Sequence, residues 1–235
     1  MIRDLGVLIA AGGASLRYGD RDKLLEDLGG LPVFLHSVRN FLPLVPPGCL
    51  VIAVRKEALP EYRRLAEKFL PRAGIRWVEG GSSRKASVCR ALAALPLASG
   101  LVAIHDAARP LASAGLLRRV CERARVRGGA IAAGKVVDSL KLADGDGLIR
   151  APIPRDEVYY AETPQVFDLV RYREACAALG DAEPTDDAEI MRLSGFPVEL
   201  VVSGQCNIKL TSPADLESLR RFFPENGDDE KQKDR

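Results

Sequence analysis

The stretch LIAAGGASLRYGDRDKLLEDL, Leu8 to Leu28, decides how the rest of the chain is read. An apolar run breaks into a glycine pair and then into the basic residues Arg17, Arg21 and Lys23. A secretory signal, a dinucleotide fingerprint, an ATP-binding P-loop and another kind of phosphate cradle all share this outline. A signal fits poorly, because Asp4 cancels Arg3 and the apolar run is at the short limit for such a segment. The P-loop string G-x-x-x-x-G-K-[ST] does not occur, and Gly12, Gly13 and Gly19 lack the G-x-G-x-x-G spacing. What remains is a buried first strand ending in small residues. Ala10, Ala11, Gly12 and Gly13 let main-chain N–H groups approach phosphate oxygens, and Arg and Lys supply formal charge. The competing reading is an ordinary glycine turn with solvated basic residues.

Outward from this loop, short apolar runs alternate with longer helical patterns. The predicted strands are Gly6–Ala10, Leu50–Val54, Ile75–Val78, Leu101–His105, Gly129–Ala133 and Val198–Val202. Helical periodicity covers Pro32–Phe41, Glu57–Phe69, Ser83–Leu95, Ser113–Val126, Leu169–Leu179, Asp186–Leu193 and Pro213–Phe222. Strands that are apolar on both faces need helices on both sides of their sheet. The alternation therefore predicts an α/β fold with a doubly wound, mostly parallel sheet. One segment, Lys135–Gln165, breaks the rhythm: two extended runs flank ADGDG, which predicts a protruding β-hairpin, either an arm or lid or a decorated surface loop. The wholly polar tail ENGDDEKQKDR, residues 225–235, is predicted to be disordered.

Bulk properties set the remaining bounds. The 235 residues are 47% hydrophobic, enough for a sizeable core in one large domain. A net charge of +2 gives no reason to expect nucleic-acid or membrane binding, and no apolar run approaches the ~20 residues of a membrane span. The five cysteines are scattered and form no C-x-x-C pair, so they fit neither a disulfide framework nor a zinc site. They point to a reducing compartment and a cytoplasmic protein.

Doubly wound sheets bind ligands at the carboxyl ends of their strands. After Leu101–Ile104 comes HDAARP, which sets Asp106 directly behind a buried strand, where it can hold Mg²⁺ or cap the next helix. After the Trp77–Val78 run comes EGGSSRKASV, with a tight turn at Gly80–Gly81 and a helix opening by Ser87. After the last strand, NIKLTSPADL offers Lys209. PTDDAEI, Pro184–Ile190, reads as a helix start capped by Thr185 or Asp186.

Seven stretches, in order, resemble the 2-C-methyl-D-erythritol 4-phosphate cytidylyltransferases of isoprenoid-precursor synthesis. They are AAGG…R…K (Ala10 to Lys23), GGSSRKASV, HDAARP, VVDSLK (Val136–Lys141), ETPQ (Glu162–Gln165), TDDA (Thr185–Ala188) and NIKLTSPADL (Asn207–Leu216). The resemblance implies a Rossmann-like nucleotidyltransferase domain over residues 1–224, with 135–160 as an arm for a homodimer. It implies Arg17 and Lys23 as stabilisers of the triphosphate and transition state. It sets Ala10, Ala11, Gly12, Gly81, Ser87, Asp106 and Ala107 around CTP, with Asp106 binding Mg²⁺ or another divalent cation. It assigns Arg109, Ser139, Arg155, Thr163 and Lys209 to the methylerythritol phosphate, with Arg155 serving the neighbouring subunit.

Three positions depart from the family pattern. Arg17 falls one residue late, with Ala14 in the second-glycine position; Asp22 stands where proline is usual; and Cys206 replaces an aspartate found in some members. Asp22 sets a carboxylate beside Lys23, and Cys206 leaves metal binding to Asp106, phosphates and water. The implied reaction needs no general base, since a phosphomonoester with a second pKa near ~6 is already mostly dianionic at neutral pH. His105 is therefore expected to fix loop geometry. The rival functions are a ribitol-5-phosphate cytidylyltransferase, a purine-using nucleotidyltransferase of the same fold, and a catalytically silent nucleotide-binding module.

Overall fold

Leu5–Ala11 forms the first strand, β1, with every residue but Ala10 buried. Burying side chains such as Leu5, Leu8 and Ile9 stabilises the fold by about 1.5–3 kcal/mol each. The computed structural model describes residues 1–13, 18, 21–180, 184–204 and 207–224. Arg17, Cys206 and the 225–235 tail lie outside the described residues.

A two-stranded ribbon follows β1, β2 (Asp27–Leu28) with β3 (Leu31–Pro32), and leads into α1 (Val33–Phe41). Next come β4 (Leu50–Val54), α2 (Leu59–Phe69), β5 (Arg76–Glu79), α3 (Arg84–Ala94), β6 (Leu101–Asp106), α4 (Ala114–Arg127) and β7 (Gly129–Lys135). A hairpin of β8 (Leu140–Ala143) and β9 (Ile149–Ile153) precedes β10 (Tyr159–Asp168). The chain closes with α5 (Leu169–Ala178), α6 (Asp187–Leu193), β11 (Glu199–Val202) and α7 (Pro213–Arg220).

Among the described residues, seven strands form one sheet in the order β11-β7-β10-β6-β1-β4-β5. The pairs β1–β4, β1–β6, β4–β5 and β11–β7 are parallel, as the βα alternation requires. Helix α3 packs on β1, β4 and β5, while α4 packs on β7 and β10. The order reverses beside β1, so the carboxyl ends of β1 and β6 share a crevice where a ligand has room. Ser113 caps α4 by accepting from Leu116 N–H, which frees Asp106 from that duty.

The end of the irregular segment, from Tyr159 on, belongs to a strand of the main sheet, not to a projecting hairpin. Strand β10 runs antiparallel between β6 and β7. Pro164 lies inside it and lacks the N–H that a regular ladder demands. A register shift between Ala161 and Gln165 accommodates it, opposite Ala133 and Ile131 of β7. The true projection is β8–β9, turned by Asp144, whose Oδ1 accepts from Asp146 and Leu148 N–H at 3.1 and 2.9 Å. An isolated two-stranded ribbon is marginal in water, and this one leaves Leu142, Leu148, Ile149 and Ile153 exposed.

Candidate functional site

The parallel register pairs Ala10 of β1 with Asp106 of β6, so the glycine loop and the aspartate leave the sheet side by side. A buried relay fixes this strand end. Asp106 N–H donates to Thr163 Oγ1 at 3.1 Å, and Thr163 Oγ1 lies 2.9 Å from His105 Nδ1. His105 Nε2 is 3.1 Å from Ser37 Oγ, which donates to Arg109 O at 3.3 Å. With Ser37 spending its proton on that carbonyl, the consistent tautomer has Nε2–H donating to Ser37 and Nδ1 accepting from Thr163. Burial pushes the His105 imidazole down to about 3, so it is neutral at physiological pH. His105 thus fixes loop geometry, as expected of it.

Asp106 faces a cleft of about 320 Å³ lined by Ala10, Gly12, Lys23, Gly81, Arg84, Ser87 and Lys209 among others. Lys209 Nζ reaches Asp106 Oδ2 at 2.6 Å, and Arg84 Nη2 lies 3.5 Å from Oδ1. Burial opposes ionisation of Asp106, yet Lys209 and Arg84 outweigh it and hold the carboxyl well below its ordinary range. Lys23, Arg84 and Lys209 against Asp106 make this a cationic cleft, suited to a polyanion.

The far wall is the loop into α3. Ser87 Oγ accepts from Gly81 N–H at 2.9 Å and donates to Ser83 O at 2.9 Å. A Cβ on Gly81 would lie 2.3 Å from Ala86 Cβ and 2.9 Å from its carbonyl carbon, so only glycine fits there. Ser83 caps α3 by accepting from Ala86 N–H at 3.1 Å. On the opposite wall, Asp22 accepts from Leu24 N–H at 3.1 Å and from Tyr62 Oη at 3.0 Å, with Arg55 at 3.4 Å. These bonds do what a proline would do, tying down the backbone beside Lys23, and they engage the carboxylate elsewhere.

The cleft gathers Ala10, Gly12, Lys23, Gly81, Ser87, Asp106 and Lys209 from the expected site residues. Ala11 and Ala107 are buried behind it, Ala107 N–H donating to Ala10 O at 3.1 Å. Thr163 is 3% exposed, and its hydroxyl is committed to Asp106 N–H and His105; it supports the strand end. Arg109 lines a second, wider cleft of about 740 Å³ with Lys135, Glu162, Asn207 and again Lys209. The Arg109 guanidinium is aimed there by bonds to Asn207 O at 2.7 Å and Ala161 O at 3.4 Å. Lys209 is therefore the hinge between the two clefts. Ser139 and Arg155 line neither: both are exposed on the arm, Ser139 accepting from Lys141 and Arg155 donating to Val137 O.

Sequence reasoning passed over Arg84, which pairs with Asp187 at 2.6 Å as well as reaching Asp106. A signal was present. Helix α3 opens with Arg84 and Lys85 and has no acid in its first turn, although a helix N-terminus repels cations.

No group of three or more His, Cys, Asp or Glu side chains with metal-binding geometry occurs among the described residues. Mg²⁺ at nucleotide sites commonly takes one or two carboxylates and completes its shell with phosphate oxygens and water. Asp106, held ionised at the cleft wall, fits that donor set.

Residues 5–223 match the family model described as IspD: 2-C-methyl-D-erythritol 4-phosphate cytidylyltransferase. A 2-C-methyl-D-erythritol 4-phosphate cytidylyltransferase of Parasynechococcus marenigrum (strain WH8102) is 39% identical over 217 residues, covering 89% of this chain and 93% of that protein. The crystal structure of the Thermus thermophilus enzyme of the same name superposes with a TM-score of 0.76 at 31% identity, over 92% of this chain and 97% of that one. The structure of 4-diphosphocytidyl-2C-methyl-D-erythritol synthase from Anaerococcus prevotii DSM 20548 gives a TM-score of 0.79 at 26% identity, over 94% and 98%. The relay behind Asp106, the cationic cleft and these likenesses agree: the chain belongs to the 2-C-methyl-D-erythritol 4-phosphate cytidylyltransferase family.

Proposed function

We propose that this protein is a nucleotidyltransferase that joins CTP and 2-C-methyl-D-erythritol 4-phosphate, giving 4-diphosphocytidyl-2-C-methyl-D-erythritol and pyrophosphate in non-mevalonate isoprenoid-precursor synthesis. A phosphate-monoester oxygen attacks the α-phosphorus of CTP; the new O–P bond forms as the bond to the pyrophosphate leaving group breaks. The barrier comes from bringing two polyanions together and from charge building on oxygens around phosphorus, so positioning and fixed cations are the levers. The observation that carries this reading is Lys209, which lines both clefts while paired to Asp106 at 2.6 Å.

In this scheme the smaller cleft takes CTP, with main-chain groups around Gly12 and Gly81 close to the nucleotide. Lys23, with Arg17 by resemblance, stabilises the five-coordinate phosphorus. Arg109 and Lys209 hold the attacking monoester in the larger cleft. Asp106 is the residue to hold Mg²⁺, which when bound neutralises and orients triphosphate oxygens. The nearest imidazole, His105, is neutral and fully engaged, consistent with a nucleophile that needs no base.

The same proposal makes residues 1–224 one domain with 135–160 as a dimerisation arm. The arm exposes Val137, Leu142, Leu148, Ile149 and Ile153, apolar side chains that a second copy would cover. Arg155 and Ser139 then act in the neighbour's larger cleft. No described helix is long and apolar enough to cross a membrane; we assign the cytoplasm, in keeping with the thiols Cys49, Cys89, Cys121 and Cys176.

The test is pyrophosphate release from CTP with methylerythritol phosphate, with and without Mg²⁺, beside arms with ribitol 5-phosphate and with GTP. Release that depends on CTP, methylerythritol phosphate and Mg²⁺ supports the proposal. Preference for ribitol 5-phosphate or GTP redirects it to the corresponding rival, and CTP binding without release makes the protein a silent module.

A further inference from the structure

The TDDA motif, Thr185–Ala188, opens α6 and has no part in the scheme above. Its second aspartate is 1% exposed and carries a carboxylate. Asp187 Oδ1 accepts from the buried Tyr172 Oη at 2.5 Å. Oδ2 receives no aligned hydrogen bond and faces Arg84 Nη1 at 2.6 Å. The other terminal nitrogen of Arg84 points to the cleft wall, 3.5 Å from Asp106 Oδ1. One guanidinium thus bridges a buried anion on α6 and the site where the triphosphate belongs.

Burying a carboxylate is costly unless it is well paired, and packing alone favours an apolar residue at such a position. The first turn of α3 disfavours cations, yet carries Arg84 and Lys85 with no acid of its own. Asp187 supplies from another helix the negative charge that this turn lacks. It also engages one edge of the fork, leaving the other edge for the cleft.

We propose that Asp187 is a positioning residue for CTP: it holds Arg84 on the cleft wall, so that the guanidinium meets the triphosphate as a preset cation beside Lys23 and Lys209. The inference rests on the reading of this cleft as the CTP site. Before CTP enters, the outward nitrogen of Arg84 leans on Asp106; the phosphate oxygens give it a nearer acceptor, and Asp187 keeps it from following Asp106.

The experiment is calorimetric titration of CTP with Mg²⁺ into wild type, Asp187→Asn, Arg84→Met and the double variant, with KM measured for each substrate. Asp187→Asn keeps the side-chain volume and an acceptor for Tyr172. The expected result is a Kd and a KM for CTP raised about tenfold, as for a misplaced binding group, with KM for the polyol phosphate unchanged. Arg84→Met loses at least as much, and adding Asp187→Asn to it costs nothing further. A lowered Tm with unchanged CTP affinity, an equal shift for both substrates, or an additive double variant each overturns the proposal. Should Asp187→Asn fail to fold, Tyr172→Phe loosens the same carboxylate with its charge intact. It is expected to weaken CTP binding about threefold, and unchanged binding overturns the idea. A wild-type protein that binds CTP yet releases no pyrophosphate defeats the reaction alone, and the affinities still decide the role of Asp187. One that binds no CTP defeats both.

Discussion

His105 shows how much of the site is scaffold chemistry. Each hydrogen bond in its relay contributes about 1 kcal/mol net, and together they hold Asp106 and the Arg109 carbonyl in one frame. The relay also ties stability to pH. Buried His105 titrates near 3 when folded and near 6.5 when unfolded, so between those values the unfolded chain binds the extra proton. Its contribution is complete above pH 6.5 and is lost as pH falls towards 3. Denaturant unfolding at pH 7.5 and pH 5 should reveal a loss of about 2 kcal/mol from this group, and His105→Gln should flatten that part of the slope. His36, lowered by its own burial, acts in the same direction. Asp106 and Lys209 were legible in the sequence because each stands at, or a short loop beyond, the carboxyl end of a strand-length apolar run. Arg84 was not, since its ion pair joins two helices far apart in the chain, a juxtaposition that local patterns do not encode.

Element boundaries follow the same logic. Every βα unit was legible, because apolar runs of strand length alternate with 3.6-residue periodicity, and the six predicted strands begin and end within about two residues of β1, β4, β5, β6, β7 and β11. The short β2–β3 ribbon was not foreseen. Strand β10 escaped because Pro164 and the register shift mask its pattern, and because only its second half is buried on both faces. At this scale the loop 80–83 into α3 makes the sharpest prediction. Gly81→Ala must push against Ala86, including its backbone, at 2.3–2.9 Å. We expect about 1–3 kcal/mol of destabilisation from that overpacking. We also expect CTP affinity to fall more than tenfold, because the Gly81–Ser87 bond shapes the wall of the cleft proposed to take CTP. Thermal unfolding and CTP titration on the same sample read both effects.

For the whole molecule, the proposed dimerisation arm raises the question whether one chain is enough. The hairpin turn ADGDG was legible, but where its face belongs was not, since an apolar surface names no partner by itself. The exposed apolar arm and the absence of Arg155 from the described clefts motivate a subunit exchange experiment. Lys23→Ala and Arg155→Ala should each be nearly inactive. Mixed in equal amounts after exchange, they should recover about a quarter of wild-type activity, because in the proposed dimer half the pairs are mixed and each mixed pair carries one intact site. No recovery, with exchange verified, removes Arg155 from the neighbour's site.

In the proposed reaction two anions meet across one lysine. Lys209→Met, assayed by steady-state pyrophosphate release while CTP and methylerythritol phosphate are varied in turn, tests this most directly. Both KM values should rise together, and kcat/KM should fall by about 10²–10³-fold. A variant in which only one substrate is affected, or turnover stays near wild type, would contradict a shared junction at Lys209.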